Sequence, residues 1–156
     1  MEFEIQAIFA TTMLLSNRQR KVPISPRALK AFVTRLLVAT GQSEDAFSVT
    51  LISDRAMQAL NRRFRSKNRP TDVLSFPASP TAPFWNAAEV EGPPILGEIV
   101  ISVDTAKRQA RQEGHSITAE IKLLIIHGVL HLMGYDHEAD NGEMNRRECA
   151  LRAKLL

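Results

Sequence analysis

Three of the four histidines in this 156-residue chain fall within one short stretch near its C-terminal end. They are His127, His131 and His137, so the spacing is His-x3-His-x5-His. Residues four apart on a helix project from the same face, which places His127 and His131 side by side. Gly134 supplies the left-handed residue that ends a helix and reverses the chain, which lets His137 swing back toward them. Three imidazoles with an open fourth position predict a catalytic zinc site, with one Zn2+ per chain.

The helix that carries the first two histidines is predicted to be buried, because apolar residues surround it on all sides. These residues are Leu123, Leu124, Ile125, Ile126, Val129, Leu130, Leu132 and Met133. The alternative interpretation is that His127 and His131 are hydrogen-bonded core residues that bind no metal. Two imidazoles inside such a helix need polar partners, and a shared cation provides them. We therefore favour the metal interpretation.

Composition and charge indicate an ordinary soluble globular protein, with 44% hydrophobic and 24% charged residues and a formal net charge of +3. The length suits a single domain over residues 1–156. The lone Cys149 excludes an intrachain disulfide, suits a reducing compartment, and is expected to be buried or half-buried. The N-terminus carries Glu2 and Glu4 where a signal peptide would be basic, and no apolar run is long enough to span a bilayer. We therefore predict a cytoplasmic protein without a membrane partner.

Periodicity predicts four strands and about five helices. The strands are expected at residues 3–7, 47–51, 73–76 and 95–102, with a polar stretch at residues 16–22 and a loop from 79 to about 94. Helices are expected after the caps Ser25, Ser53 and Ser116, from near Asp104, and over residues 142–156. This order predicts an α+β fold: a four-stranded mixed sheet packed against helices, one of them a buried central helix that carries the metal ligands and resembles the metal helix of zincins.

A run of cations is the second feature that can do chemistry. Between Asp54 and Asp72 the chain has six basic residues and no acidic one: Arg55, Arg62, Arg63, Arg65, Lys67 and Arg69. One interpretation is a solvated helix face followed by a polar turn. The other is a local positive field that attracts a phosphate backbone, with guanidinium groups suited to bidentate phosphate contacts. If this segment faces the metal, the site combines a polarised water with a phosphate clamp.

The chemistry of the predicted metal site is hydrolysis, because zinc held by three histidines lowers the pKa of its bound water to roughly 7. The electrophile is a peptide carbonyl, a phosphodiester or another electrophile. The histidine spacing matches the zinc helix of metzincin proteases, including the glycine at the eighth position, Gly134. The residue after the first histidine, where those proteases carry a glutamate general base, is Gly128. A peptidase is therefore the weaker alternative.

Three segments resemble motifs of the YbeY family, bacterial metal-dependent endoribonucleases of ribosomal RNA maturation. Residues 127–137, His-Gly-Val-Leu-His-Leu-Met-Gly-Tyr-Asp-His, resemble the hallmark motif of that family. Residues 60–77 are similar to its Arg-Gly-Lys-Asp-x-Pro-Thr-Asp-Val-Leu-Ser-Phe-Pro segment, and residues 96–102 to its Gly-Asp-Ile-Val-Ile-Ser strand. Ser66 stands where the family usually has glycine and Asn68 where it has aspartate. If the backbone there requires a positive φ, Ser66 is strained.

The resemblance implies zinc bound by His127, His131 and His137, and a functional Arg65 in a positively charged cleft that receives single-stranded RNA. We take Arg65 and His127 as the catalytic residues, and the further candidates for RNA contact are Arg62, Arg63, Lys67 and Arg69. Asp136 and Glu138 flank His137 and either orient an imidazole or lie in an exposed loop.

The implied activity is zinc-dependent hydrolysis of single-stranded RNA, in maturation of the 3′ end of 16S ribosomal RNA and in ribosome quality control. The implied partners are ribosomal RNA and the small ribosomal subunit or its associated factors. Two alternatives stay open: a non-catalytic ribosome-associated factor stabilised by its metal, and a zincin-type metallopeptidase.

Overall fold

The computed structural model describes residues 14–78 and 95–156. The strands in these ranges are β1 (Leu15–Asn17), β2 (Phe47–Ile52), β3 (Val73–Pro77) and β4 (Gly97–Ser102). The helices are α1 (Pro26–Thr40), α2 (Asp54–Arg65), α3 (Val103–Glu113), α4 (Ile117–Leu132) and α5 (Glu143–Leu155). The predicted α+β class is confirmed, with four strands in a mixed sheet and five helices among the described residues.

The strand order in the sheet is β1-β2-β4-β3. β2 pairs in parallel with β1 and β4, whereas β3 runs antiparallel to β4 along its other edge. Gly97, at the start of β4, has a φ of 144°, and a Cβ there would lie 2.1 Å from the carbonyl oxygen of Phe76. Only glycine permits this close approach, which holds β3 beside β4.

The first predicted strand, residues 3–7, lies outside the described residues, as does most of the proline-rich loop that follows β3. β1 covers Leu15–Asn17, at the start of the stretch 16–22 that the sequence marks only as polar. This strand is three residues long and largely polar, so it has no periodicity to detect. It is defined by its pairing with β2, which is a long-range contact.

Local capping signals explain why the predicted helix starts agree with the structure. At the start of α1, α2, α3 and α4, a serine hydroxyl accepts a hydrogen bond from a backbone N–H of the helix. These serines are Ser25, Ser53, Ser102 and Ser116 respectively. Gly41 and Gly114 then end α1 and α3 in the left-handed conformation. These signals lie within a few residues of the elements they bound, so sequence alone reveals them.

α4 is the most buried helix of those described. It contacts α1, α3 and α5 as well as β3 and β4, and Ile125, Ile126 and Val129 have no exposed surface. On the opposite face of the sheet, α2 covers a smaller apolar cluster that includes Val100 and Leu74. No helix in the described ranges, α4 included, has both the length and the apolar character needed to cross a membrane.

Cys149 is exposed on α5, so the prediction that it is buried or half-buried was wrong. The buried face of α5 consists of Met144, Leu151 and Leu155, which recur at helical spacing. Cys149 does not belong to that buried face. The prediction relied on the average burial of cysteine in proteins. The exposure of Cys149 is set instead by its position on the helix, away from the buried face.

Asp54 anchors the start of α2 against β4 and α3. Its Oδ1 accepts hydrogen bonds from the hydroxyls of Ser102 and Thr105, both at 2.6 Å. Its backbone N–H donates to Oδ2 of Asp104 at 2.8 Å. These contacts fix the two helix starts relative to each other, and through α2 they fix the segment that follows it.

Glu98 is a carboxyl buried in β4, with only 5% of its surface exposed. Burial raises the pKa of Glu98 to about 7, while the Thr50 hydroxyl and the charge of Arg18 act to lower it. The hydroxyl of Thr50 donates to Oε1 of Glu98 at 2.7 Å. The folded protein therefore holds this proton more tightly than the unfolded chain does.

Replacement of Glu98 by glutamine tests this burial. The unfolded carboxyl ionises near its ordinary pKa of 4.5 and the folded one near 7, so the free energy of unfolding of the wild type falls as pH rises between these values. Glutamine keeps an acceptor for Thr50 and carries no charge. We expect Glu98→Gln to be more stable than the wild type above pH 7, by up to about 3 kcal/mol, and to lose this advantage toward pH 5. Denaturant unfolding across that pH range measures the difference, and a constant difference contradicts the assignment.

Candidate metal centre and its cleft

The three predicted metal ligands meet at the C-terminal end of α4. The ring centroids of His127 and His131 lie 4.7 Å apart, and that of His137 lies 5.6 Å and 5.3 Å from them. One ligand nitrogen from each ring can be chosen so that all three lie within 4.8 Å of one another. His127 and His131 are half-buried and His137 is exposed. The donor set and its spacing fit one divalent metal ion.

The chain reversal that returns His137 follows from the way α4 ends. Gly134 has a φ of 93°, and its N–H donates to the carbonyl of His131 at 3.0 Å. The N–H of Tyr135 donates to the carbonyl of Leu130, also at 3.0 Å. These two bonds form a Schellman motif, in which a left-handed glycine satisfies the last carbonyls of a helix. The role predicted for Gly134 is thus observed.

The two helical imidazoles are turned so that their Nε2 atoms face each other, 3.1 Å apart. Nδ1 of His131 donates to the carbonyl oxygen of Tyr135 at 3.1 Å. Nδ1 of His127 lies 3.5 Å from Oε2 of Glu148 on α5. Burial lowers the pKa of His131, and the neighbouring His127 lowers it further. Nε2 of both rings therefore faces a common point, the orientation that ligation of one metal ion through Nε2 requires.

A cleft of about 830 Å³ opens beside the three imidazoles, which line it. Arg65, Lys67 and Arg69 also line this cleft, so the structure brings most of the predicted phosphate-binding residues to the metal centre. Arg62 and Arg63 do not belong to the described lining of the cleft. Arg63 instead lies over the ring of Phe64, 5.5 Å from its centroid.

Asn61 positions the cationic segment, and sequence reasoning did not single it out. It is 3% exposed, and its Nδ2 donates to the carbonyl oxygen of Arg69 at 2.8 Å. Its own carbonyl accepts the N–H groups of Ser66 and Lys67 where α2 ends. One side chain and its backbone thus fix both ends of the segment from residue 66 to residue 69. A buried asparagine on the apolar face of a predicted helix was the available signal.

Glu148 is the second residue that sequence reasoning missed. It approaches His127 from a different helix, and its contact with that imidazole lowers the pKa of its carboxyl, while burial acts in the opposite direction. Asp136 and Glu138, the partners considered from sequence, make no described hydrogen bond to a ring. Oδ1 of Asp136 instead accepts the N–H of Glu138 within the turn, at 3.0 Å.

Gly128 explains why no carboxylate follows the first histidine. A Cβ at this position would lie 2.9 Å from Cγ2 of Ile99, which is fully buried in β4. The hydroxyl of Ser75 also donates to the carbonyl of Gly128 at 3.2 Å, which ties α4 to β3. This side of α4 therefore faces the sheet and has no room for a glutamate side chain.

The fourth histidine takes no part in this cluster. His115 is half-buried. Its Nε2 lies 3.0 Å from Oε2 of Glu120, at the other end of α4. The contact satisfies a carboxyl that is 8% exposed, so the role of His115 is structural.

This chain is similar to proteins of one family. The profile of the family described as "Endoribonuclease YbeY" matches residues 14–155. A protein of that name from Anaeromyxobacter sp. is 42% identical over 143 residues, which are 90% of this chain and 70% of the relative. Another from Moorella thermoacetica is 40% identical over 147 residues, 89% of this chain and 94% of the relative. A solution structure from Thermotoga maritima has a TM-score of 0.59 at 26% identity, covering 92% of this chain and 89% of that one.

Ser66 provides a test of how the cationic segment is held. It ends α2 with a φ of 56°, the one positive φ outside glycine among the described residues. Because glycine adopts this conformation without steric cost, we expect Ser66→Gly to raise the free energy of unfolding by about 0.5–1 kcal/mol. Ser116→Gly is the matched control: Ser116 has a φ of −72° and caps α4, so this variant loses stability. Denaturant unfolding compares them, and a destabilised Ser66→Gly contradicts the assignment.

Proposed function

This chain belongs to the endoribonuclease YbeY family, and from that membership we propose that it is a zinc-dependent endoribonuclease that hydrolyses phosphodiesters of single-stranded RNA. One observation supports the proposal above all others. The three imidazoles and the cations Arg65, Lys67 and Arg69 line the same cleft. A metal-binding cluster and a phosphate-binding segment on one cleft suit a nucleic-acid substrate.

The cationic wall of the cleft suits an unpaired strand. The cationic wall is built from three exposed side chains within five residues of sequence, which suits a short stretch of backbone. Asp72 also lines the cleft, but its Oδ2 accepts from the side chain of Gln109 at 2.9 Å and its Oδ1 from the backbone N–H of Val73. These hydrogen bonds hold the Asp72 carboxylate against β3. Asp136 and Glu138 are the other acidic residues of the described lining, and Arg65, Lys67 and Arg69 form a separate segment that can contact phosphate.

In the mechanism we propose, His127, His131 and His137 hold the ion, which supplies Lewis acidity and a water of lowered pKa. Arg65 donates hydrogen bonds to the non-bridging oxygens of the scissile phosphate and stabilises the charge that grows on them. Lys67 and Arg69 contact flanking phosphates and fix the register of the strand. His127 would take part as a ligand of the ion through its Nε2, which faces Nε2 of His131.

We further propose that ribosomal RNA is the substrate, in maturation of the 3′ end of 16S ribosomal RNA and in ribosome quality control. The small ribosomal subunit or its associated factors are the matching partners. Family membership and the motif at residues 127–137 support this assignment. The cytoplasm is the matching location, because a single exposed thiol such as Cys149 stays reduced there.

The peptidase alternative loses its support at Gly128. A zincin-type peptidase uses a glutamate after the first histidine as its general base. In this chain that position faces Ile99 and has no room for a side chain. The alternative of a non-catalytic factor that only uses its metal for stability is tested by the two experiments below.

Arg65→Ala tests the phosphate contact. We expect it to lower the rate of cleavage of a fluorogenic single-stranded RNA by about 100- to 1000-fold, because it removes a donor that acts on developing charge. Its zinc content should equal that of the wild type. Arg55→Ala is the matched control, since Arg55 is an exposed arginine in the first turn of the same helix and is absent from the described lining of the cleft. Equal cleavage by Arg65→Ala and Arg55→Ala contradicts the catalytic assignment.

Metal removal and restoration test the dependence on zinc. Chelation should abolish RNA cleavage by protein purified without nickel resin, and about one equivalent of Zn2+ per chain should restore it. His131→Ala should bind no stoichiometric zinc and should not be restored, whereas His115→Ala, which changes the histidine outside the cluster, should behave as the wild type. Cleavage that survives chelation argues against the metal mechanism. A protein that holds zinc but cleaves no RNA favours the non-catalytic factor.

A further inference from the structure

We propose that Glu148 is a positioning residue for the metal site, whose carboxylate holds His127 with Nδ1 protonated and Nε2 directed at the ion. The inference deepens the proposed function, since it concerns the same metal centre and rests on that centre binding a metal. Glu148 belongs to α5, outside both the histidine motif and the cationic segment.

The geometry around Glu148 separates the roles of its two carboxylate oxygens. Oε2 lies 3.5 Å from Nδ1 of His127, and Oε1 lies 2.5 Å from Nη2 of Arg152, one turn further along α5. The side chain of Glu148 is only 12% exposed, whereas that of Arg152 is 46% exposed. Arg152 therefore fixes the carboxylate from the solvent side, and the remaining oxygen is left for the imidazole.

A neutral imidazole has one donor nitrogen and one acceptor nitrogen, so the partner of Nδ1 decides which nitrogen is free to bind metal. His131 has the carbonyl of Tyr135 as this partner. For His127, Glu148 is the acceptor that the described residues place at Nδ1. At 3.5 Å the contact is longer than a well-formed hydrogen bond, so the negative charge contributes as well as the acceptor. Such a charge makes the imidazole a stronger ligand.

The contact between Glu148 and His127 also makes the metal site depend on how α5 packs. α5 is held against the core by Met144, Leu151 and Leu155, which are almost fully buried. Glu148 lies on the side of α5 next to this apolar stripe, so the position of its carboxylate is set by the same packing. A displacement of α5 would therefore change the metal site without changing any of its three ligands.

The test measures zinc affinity, independently of RNA cleavage. Zinc dissociation constants come from competition with a chromophoric chelator, for the full chain as wild type, Glu148→Ala, Glu148→Gln and the control Cys149→Ala. Cys149 is the exposed neighbour of Glu148 on α5. We expect Glu148→Ala to bind zinc 10- to 100-fold more weakly and Cys149→Ala to match the wild type. Glu148→Gln retains an oxygen acceptor without the charge and should fall between them.

Two further measurements separate positioning from a general loss of stability. In metal-free protein, ¹⁵N chemical shifts should assign the proton of His127 to Nδ1 in the wild type and to a mixture of tautomers in Glu148→Ala. Thermal unfolding of the metal-free variants reports any structural damage. If Glu148→Ala does not fold, Glu148→Gln decides by the same two readouts.

Unchanged zinc affinity in the folded Glu148 variants overturns the inference, even if unfolding occurs at a lower temperature, because the role of Glu148 is then structural only. An unchanged His127 tautomer overturns it as well. If the wild type cleaved no RNA, the proposed endoribonuclease function would be refuted. The zinc measurements, and hence this inference, would still stand.

Discussion

The fold is arranged around two imidazole nitrogens that face each other. The Nε2 atoms of His127 and His131 are 3.1 Å apart, and each ring directs its Nδ1 at an acceptor. A cation between these two nitrogens would accept a lone pair from each ring. α4, which carries both rings, is fixed by contacts with three helices and two strands. This buried helix holds two residues four apart in an arrangement that can bind a metal ion.

That constraint explains which parts of the site could be predicted from the sequence. The spacing of His127 and His131, the left-handed Gly134 and the serine caps are local signals, and the structure follows them. Asn61 and Glu148 act across the fold, on the cationic segment and on His127, and their partners depend on how α2 and α5 pack. A pattern of residue types cannot reveal such contacts, because the same side chains on an isolated helix would simply be solvated.

The same distinction applies to the sheet. The strands that became β2, β3 and β4 have alternating or continuous apolar character, whereas β1 is defined only by its pairing with β2. Within the basic run, the sequence shows how many cations there are but not which of them line the cleft. α2 ends at Arg65, and the left-handed Ser66 together with Asn61 turns the chain so that Lys67 and Arg69 join Arg65 at the cleft. Arg62 and Arg63 stay on the helix and are absent from the described cleft lining.

The packing of α4 at Gly128 determines which hydrolytic chemistry the site can support. Its missing side chain allows α4 to approach Ile99 and β4, and the hydroxyl of Ser75 reaches its carbonyl. The consequence is that the general base of a zincin peptidase has no place here, although the histidine spacing is shared. Peptide hydrolysis depends on proton delivery to a poor amine leaving group, whereas a phosphodiester presents two non-bridging oxygens that share one negative charge and that fixed cations can bind. A histidine cluster without that glutamate, beside the cationic segment, is therefore suited to phosphate chemistry, and the same packing excludes the peptidase mechanism.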